Sequence, residues 1–411
     1  MFKLIRTSYL SLHSIRRVPT ITSRMASSSS TSRSSPPNST TSDPLDPLSL
    51  SQKATQLVYG PLPVVVDQSA YAYANWNPPS SPGAGGHLGR YLWTDAFGLL
   101  NLITLSRELS NPGYLTLARN LVRSVHQTLG RTRDQKSLLP LATDSSPLKG
   151  GLRIGKMDEC GSDGDGQYHH YLTIWMFALN RLSLATGEKE WNRMAIELAG
   201  GIHPYFVFRR ENGTKRMVWK VSMDLKKVLV PSEGHLDAAT GYVVYSLLKR
   251  TAEGFGEENT GRLLDDEIND YKEIMAGEGK LSVSADPLDL GMGLWMCHFF
   301  CGEEGWARKM GEESLDVARK LLDEKGPLMK RDAARRLAFR EFGSCLGLRC
   351  YGMAGDDELE GKVRGVLKFW ERYLDGETED LEDLRPISLV MFASALIPGA
   401  FRDGYLEPVQ V

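Results

Sequence analysis

Two kinds of helical segment alternate along this 411-residue chain, six of each, and the alternation predicts an all-α fold of six helical hairpins closed into a ring, an (α/α)6 toroid. One kind is apolar nearly all round: in residues 168–182, Leu172, Ile174, Trp175, Phe177 and Leu179 point in every direction. A helix without a polar face must be covered on all sides. The other kind carries a single stripe, as in Leu359, Val363, Val366, Leu367, Trp370 and Leu374, with charge on its remaining face, which fits a helix with one side in water. A third observation gives the ring a direction, because the polar clusters of the chain lie just ahead of the apolar helices.

Taken in order, a short segment near 49–58 (Leu50, Ala54, Leu57) supplies one outer helix and closes the ring. The segments expected inside are 95–107, 168–183, 237–249, 289–301, 341–353 and 386–397. The outer ones between them are 113–127, 188–199, 263–275, 304–323 and 357–374. An open solenoid of helix pairs is the competing architecture, but solenoid repeats are more regular in length and do not bury their inner helices on every side. One insertion reads as β: Tyr205–Phe208 and Met217–Val221 flank Asn212-Gly213, a strong hairpin signal, and this hairpin should lie over the end where inner helices begin.

Composition narrows the class of protein. With 41% hydrophobic residues the chain can bury a large core, and a net charge of −2 gives no electrostatic case for nucleic acid or an acidic membrane. No apolar run approaches membrane-spanning length. Five cysteines, odd in number and without a CxxC pair, fit a reducing compartment; Cys297 and Cys301 around His298 read as buried thiols, since no further metal ligands can be located. Residues 1–47 are a different material from the toroid expected over 48–411. They hold Lys3, Arg6, Arg16, Arg17, Arg24 and Arg33, are rich in Ser and Thr, and carry no acid until Asp43. This is the composition of a disordered leader and of a mitochondrial transit peptide; a start at Met25 with a cytosolic product is the alternative.

The polar clusters are Trp93-Thr94-Asp95; Asp158-Glu159 and Asp163-Gly164-Asp165-Gly166-Gln167 before His169-His170; Glu233-Gly234-His235-Leu236-Asp237; Asp286-Pro287-Leu288-Asp289; Arg340-Glu341; and Arg385. In a closed ring they meet at one rim and form one funnel. Here the chain resembles the six-hairpin glycosidase-like superfamily, on helix order, on YLWTDAFGL (91–99) and on DGDGQYHHYLTIW (163–175). The resemblance implies carbohydrate chemistry: unsaturated glucuronyl hydrolases and other glycosidases, or, in a related toroid, sugar 2-epimerases. Several of those hydrolases open an inner helix with aromatic-x-Asp-Asp. Trp93 and Asp95 match it, and Ala96 stands in place of the second Asp.

Glycoside hydrolysis needs a protonated carboxyl and a second carboxylate, and Asp95 with Asp165 is the expected pair, with Glu233 in reserve. Trp93, Asp163, Gln167, His169, His235, Asp237, Glu341 and Arg385 are expected to hold a small-molecule or oligosaccharide substrate, with no metal and no cofactor. Oligomeric state is not legible. Each acid has a plainer reading as a helix N-cap. Histidine offers rival chemistry: bases among His169, His170 and His235 can move a proton alpha to a carbonyl, as an epimerase or isomerase does. Adjacent helical residues point about 100° apart, so at most one of His169 and His170 faces a pocket. Arg90, Arg153, Lys156 and Arg385 are candidates for the anionic group of a sugar. Residues 83–90 are glycine-rich without the strand and ending of a phosphate loop. A terpenoid-cyclase-like toroid is the next class, although DGDG at 163–166 lacks its last acid; a non-catalytic binding protein is the third.

Overall fold

The computed structural model describes residues 46–63, 73–373 and 384–406, apart from single positions 162, 259 and 354. The leader expected over 1–47 falls, but for its last two residues, outside the described residues, as does Leu374 of the outer stripe. Among the described residues there are twelve α-helices: α1 (Pro47–Tyr59), α2 (Leu92–Glu108), α3 (Gly113–Leu129), α4 (His169–Thr186), α5 (Lys189–Phe206), α6 (Asp237–Gly254), α7 (Asp265–Met275), α8 (Pro287–Cys297), α9 (Gly305–Leu321), α10 (Ala338–Tyr351), α11 (Asp357–Glu371) and α12 (Arg385–Leu396). None is long and apolar enough to cross a membrane.

The even-numbered helices form the inner ring. α2 packs on α4, α4 on α6, α8 on α10, α10 on α12, and α12 returns to α2. The odd-numbered helices lie outside, each against its inner partner, and α1 straddles the seam between α12 and α2. The fold is thus the all-α toroid. Burial follows the periodicity that predicts it: every residue from Leu92 to Ser106 of α2 is buried, whereas α9 buries only Ala307, Met310, Gly311, Ser314 and Ala318. The core is one contiguous cluster, with Trp175, Trp295 and Trp370 fully enclosed. Truncating any of these to Ala costs about 3–5 kcal/mol.

Helix starts are set by two devices. Asp46 and Asp286 cap α1 and α8 by accepting backbone N–H bonds (Leu48 and Ser49; Leu288 and Asp289), each followed by a proline at the first helical position, where its missing N–H costs nothing. The inner helices α2, α4, α6, α10 and α12 have no side-chain cap. Asp95, Asp237 and Asp289 therefore lie inside the first turns of their helices, and the N-cap reading of these acids is set aside.

The inner ring is not uniform. Between α8 and α10, Gly291 lies directly against Gly343 and Gly347, so closely that a Cβ at 291 or 347 would overlap the facing carbonyl. Between α6 and α8 the contact is slight.

The β insertion is real but shorter and more divided than expected. β2 (Val207–Arg209) pairs antiparallel with β3 (Lys215–Met217), Val207 opposite Met217, around a turn that Gly213 enters at φ +84°. The helix α5 runs on to Phe206, so Tyr205 and Phe206 are helical. The run to Val221 is broken at Val218-Trp219; Lys220–Val221 is a separate strand, β4, between β1 (Gln167–Tyr168) and β5 (Val228–Val230). This second sheet ties the 218–230 segment to the residues that open α4, which carries Trp219 over the mouth of the ring.

Candidate active site

Two cavities lie at the end of the ring where the inner helices begin. One, of about 110 Å³, is enclosed by the first turns of α2, α4, α6 and α8 together with Trp219. Its walls are Trp93, Ile174, Trp219, Leu236, Leu288, Met292 and Trp295, and its polar groups are His170, His235, Asp237, Thr240 and Asp289. The other, of about 220 Å³, lies on the far side of α2, between Tyr91, Thr94, the 155–163 loop and residues 384–387 at the start of α12.

Asp237 stands at the first position of α6 and is 4% exposed. Its Oδ2 is buried without a hydrogen-bond partner, and its Oδ1 is 3.9 Å from His170 Nδ1. Burial raises its carboxyl to about 7; a backbone hydrogen bond from Gly234 opposes the shift and the charge of Asp289 adds to it. A helix N-terminus favours a nearby anion by about 0.3–1 kcal/mol, too little to offset removal from water. Gly234 is required beside it, since a side chain there would overlap the carboxyl of Asp237. Asp289, at the third position of α8, is raised to about 6, chiefly by burial and then by Asp286, with His235, Arg340 and Ser284 opposing.

The two histidines of the cavity are held in opposite roles. Trp219 Nε1 lies 2.8 Å from His170 Nδ1. An indole nitrogen can only donate, so Nδ1 accepts and the ring proton sits on Nε2. Burial lowers the pKa of His170 well below its ordinary value, although 26% of the side chain remains exposed. Tyr168 stacks on both His170 and Trp219, at 5.4 and 5.0 Å between centroids, and the ammonium of Lys220 lies 5.1 Å from the Tyr168 ring. His235 Nε2 is 2.7 Å from the carbonyl of Ser282. A carbonyl can only accept, so this nitrogen donates and Nδ1 is left as an acceptor in the neutral ring. Trp93 adds a buried Nε1 that has no partner within the described protein.

The remaining expected site residues are placed elsewhere. Asp95 is fully buried and accepts from Arg90 Nη1 at 3.0 Å, from the Tyr91 N–H at 3.1 Å and from the Tyr59 hydroxyl at 3.2 Å. Burial raises its carboxyl to about 6, and Arg90 and the two hydrogen bonds oppose. Asp165 is clasped by Arg153 at 2.6 Å and Arg133 at 2.9 Å and accepts from the N–H groups of Gly155 and Gly166. Glu233 pairs with Lys280. None of these three lines either cavity. Asp163, paired with Lys156, lines the larger one. Gln167 is buried and bonded to Leu152 N–H and to the carbonyls of Gly150 and Met223. His169 points outward to the Tyr271 hydroxyl at 2.8 Å, so of the adjacent histidines it is His170 that meets the cavity. Glu341 is buried with Arg336 at 2.5 Å and Trp370 Nε1 at 2.9 Å. Arg385 opens α12. Trp93, His235 and Asp237 do line the smaller cavity, joined by His170, Asp289, Trp219 and Trp295, which the expected set lacks. The Asp286–Asp289 cluster and the adjacent histidines were the available signals for two of these; Trp219 sits in a β-prone run that gives none.

Fold and site together define a helical toroid with an aromatic-walled, acid- and histidine-bearing pocket at the rim where its inner helices start. No protein-family model matches the chain, and no curated protein matches it. Among solved structures, the chain is similar to the crystal structure of a sugar epimerase from a ruminal bacterium, at 12% identity and a TM-score of 0.47, over 74% of this chain and 87% of that one. A likeness of that size assigns neither residues nor a reaction.

Proposed function

We propose that the chain is a carbohydrate-processing enzyme of the epimerase or isomerase class, which moves a proton alpha to the carbonyl of a sugar. The observation that carries this reading is the carboxyl of Asp237, whose Oδ2 has no hydrogen-bond partner among the described residues, buried in a tryptophan-walled cavity beside two histidines of opposite hydrogen-bonding role. His235 Nδ1, an acceptor, takes the proton from carbon. Asp237, with a carboxyl raised to about 7, holds a proton near neutral pH and returns it on the other face. The Nε2–H of His170 donates to the carbonyl oxygen as negative charge grows there, the use a neutral imidazole has in an oxyanion site. Trp93 and Trp219 cover the sugar and its hydroxyls meet Trp93 Nε1, Thr240 and Asp289.

The test is incubation with a panel of reducing mono- and disaccharides in D2O, followed by proton NMR. The expected result is loss of the C–H signal beside the carbonyl together with appearance of the epimer or isomer; absence of exchange on every sugar overturns the reading. Hydrolysis is the second reading, favoured by the presence of two raised carboxyls in one cavity, with Asp237 as acid and Asp289 as the carboxylate. Glycosides in H2 18O separate the two, because only hydrolysis puts the heavy oxygen into a released sugar.

A further inference from the structure

Six acids around this rim are matched by cations of the protein's own: Asp95 by Arg90, Asp165 by Arg153, Asp163 by Lys156, Glu233 by Lys280, Asp286 by Arg340 and Glu341 by Arg336. Asp237 and Asp289, the two that share the smaller cavity, have no ion pair with a Lys or Arg among the described residues. No Lys or Arg is among the described residues that line it. The groups facing Asp237 are His170 from α4, whose Nδ1 is already bonded to Trp219, Asp289 from α8 and Tyr271 from α7. Those facing Asp289 are Asp286, Ser284 and His235 from the segments ahead of α8 and α6, and Arg340 from α10, which bonds Asp286 at 2.5 Å. Of the cations that the sequence offers for an anionic sugar, Arg90, Arg153 and Lys156 pair with other acids, and Arg385 is not among the residues that line this cavity.

We infer that the cavity selects an amine-bearing sugar, whose ammonium supplies the counter-charge that Asp237 and Asp289 lack. The inference rests on the reading above for the sugar part of the ligand; the charge preference stands on the cavity alone. An ammonium leaving water loses its hydration, and this site returns a carboxylate contact at low dielectric and tryptophan walls, which attract a cation through their π faces. A carboxylate or phosphate on the sugar meets the same acids with no cation to offset them. The ammonium needs one negative charge. With carboxyls near 6 and 7, Asp289 supplies it at neutral pH while Asp237 keeps its proton for catalysis.

The experiment is calorimetric titration of the full chain with glucosamine, glucose and glucuronate. At about pH 6.7, where Asp289 is mostly ionised and Asp237 still mostly holds its proton, glucosamine is expected to bind at least tenfold tighter than glucose (about 1.4 kcal/mol), and glucuronate weakest. At about pH 5, where both carboxyls hold protons, the preference for glucosamine should fall below about twofold. Asp289→Asn should remove the preference at both pH values, and Asp237→Asn should reduce it; if the second variant does not fold, the first carries the test. Equal affinity for glucosamine and glucose at the higher pH, or no binding of glucosamine, overturns the inference. Proton exchange into sugars in D2O without this order of affinity leaves the epimerase reading intact, and the order without exchange does the reverse.

Discussion

Asp165 lies just ahead of one inner helix and Asp237 at the first position of the next, both almost wholly buried, and the chain treats them in opposite ways. Asp165 receives two arginines and three backbone N–H groups, which satisfy its oxygens. Asp237 receives a weak backbone contact, a neutral histidine at 3.9 Å and a cavity. Burying a carboxyl is costly in either place. At Asp165 the cost is offset by ion pairing; at Asp237 it remains as a raised proton affinity, which an enzyme can use. The presence of an acid at a rim thus says little, and the whereabouts of its cation says most.

That contrast can be broken by substitution. Asp237→Asn should lower turnover of a converted sugar by about 10²–10⁴-fold, the usual contribution of a general acid, with little loss of stability, as read by steady-state kinetics and thermal melting. Asp165→Asn should do the opposite: it leaves Arg153 buried beside a neutral group and should cost about 3–5 kcal/mol in urea unfolding. A pH series sharpens the difference. A carboxyl whose proton affinity is higher folded than unfolded binds more protons in the native state, so its contribution to stability is full below the ordinary value of 3.8 and is lost as pH rises towards about 7. The fall in stability across that window should flatten in Asp237→Asn and persist in Asp165→Asn. The smallest effect is expected from Trp219→Phe. Without the indole donor, His170 can place its proton on either nitrogen, and turnover should fall about tenfold while nitrogen NMR shows a mixture of tautomers.

The architecture was legible because helical periodicity is local. Inner helices apolar all round and outer helices with one stripe are visible within a dozen residues, and the observed boundaries differ from the expected ones by up to four positions at helix ends, except that α5 runs on seven residues to Phe206 and α6 five to Gly254. The site was legible only as a rim. Asp165, flanked by glycines, reads as a reactive loop; its partners Arg153 and Arg133 come from 12 and 32 residues upstream, and the glycines serve folding, Gly164 by giving its carbonyl to Lys220 and Gly166 by letting the Val221 backbone approach. Asp286 and Arg340 meet across 54 residues, and nothing in either neighbourhood announces it. Asp289 stands three residues along the same cluster, and which of those two acids would be neutralised depends on a tertiary contact. The hairpin shows a related limit. Asn212-Gly213 marks the turn, but the division of the following strand at Trp219 follows from pairing with residues 167–168, far away in the chain.

The glycine contact between α8 and α10 bears on the far side of α8 from the pocket. Along this ring α8 is packed closely on α10 and only slightly on α6. Gly291, Gly343 and Gly347 let two backbones touch, and α8 leans towards α10 and away from α6. The slot between α6 and α8 is the one that holds Asp237 and Asp289. The pocket thus lies at the loosely packed joint of the ring, beside the joint that three missing side chains draw tight.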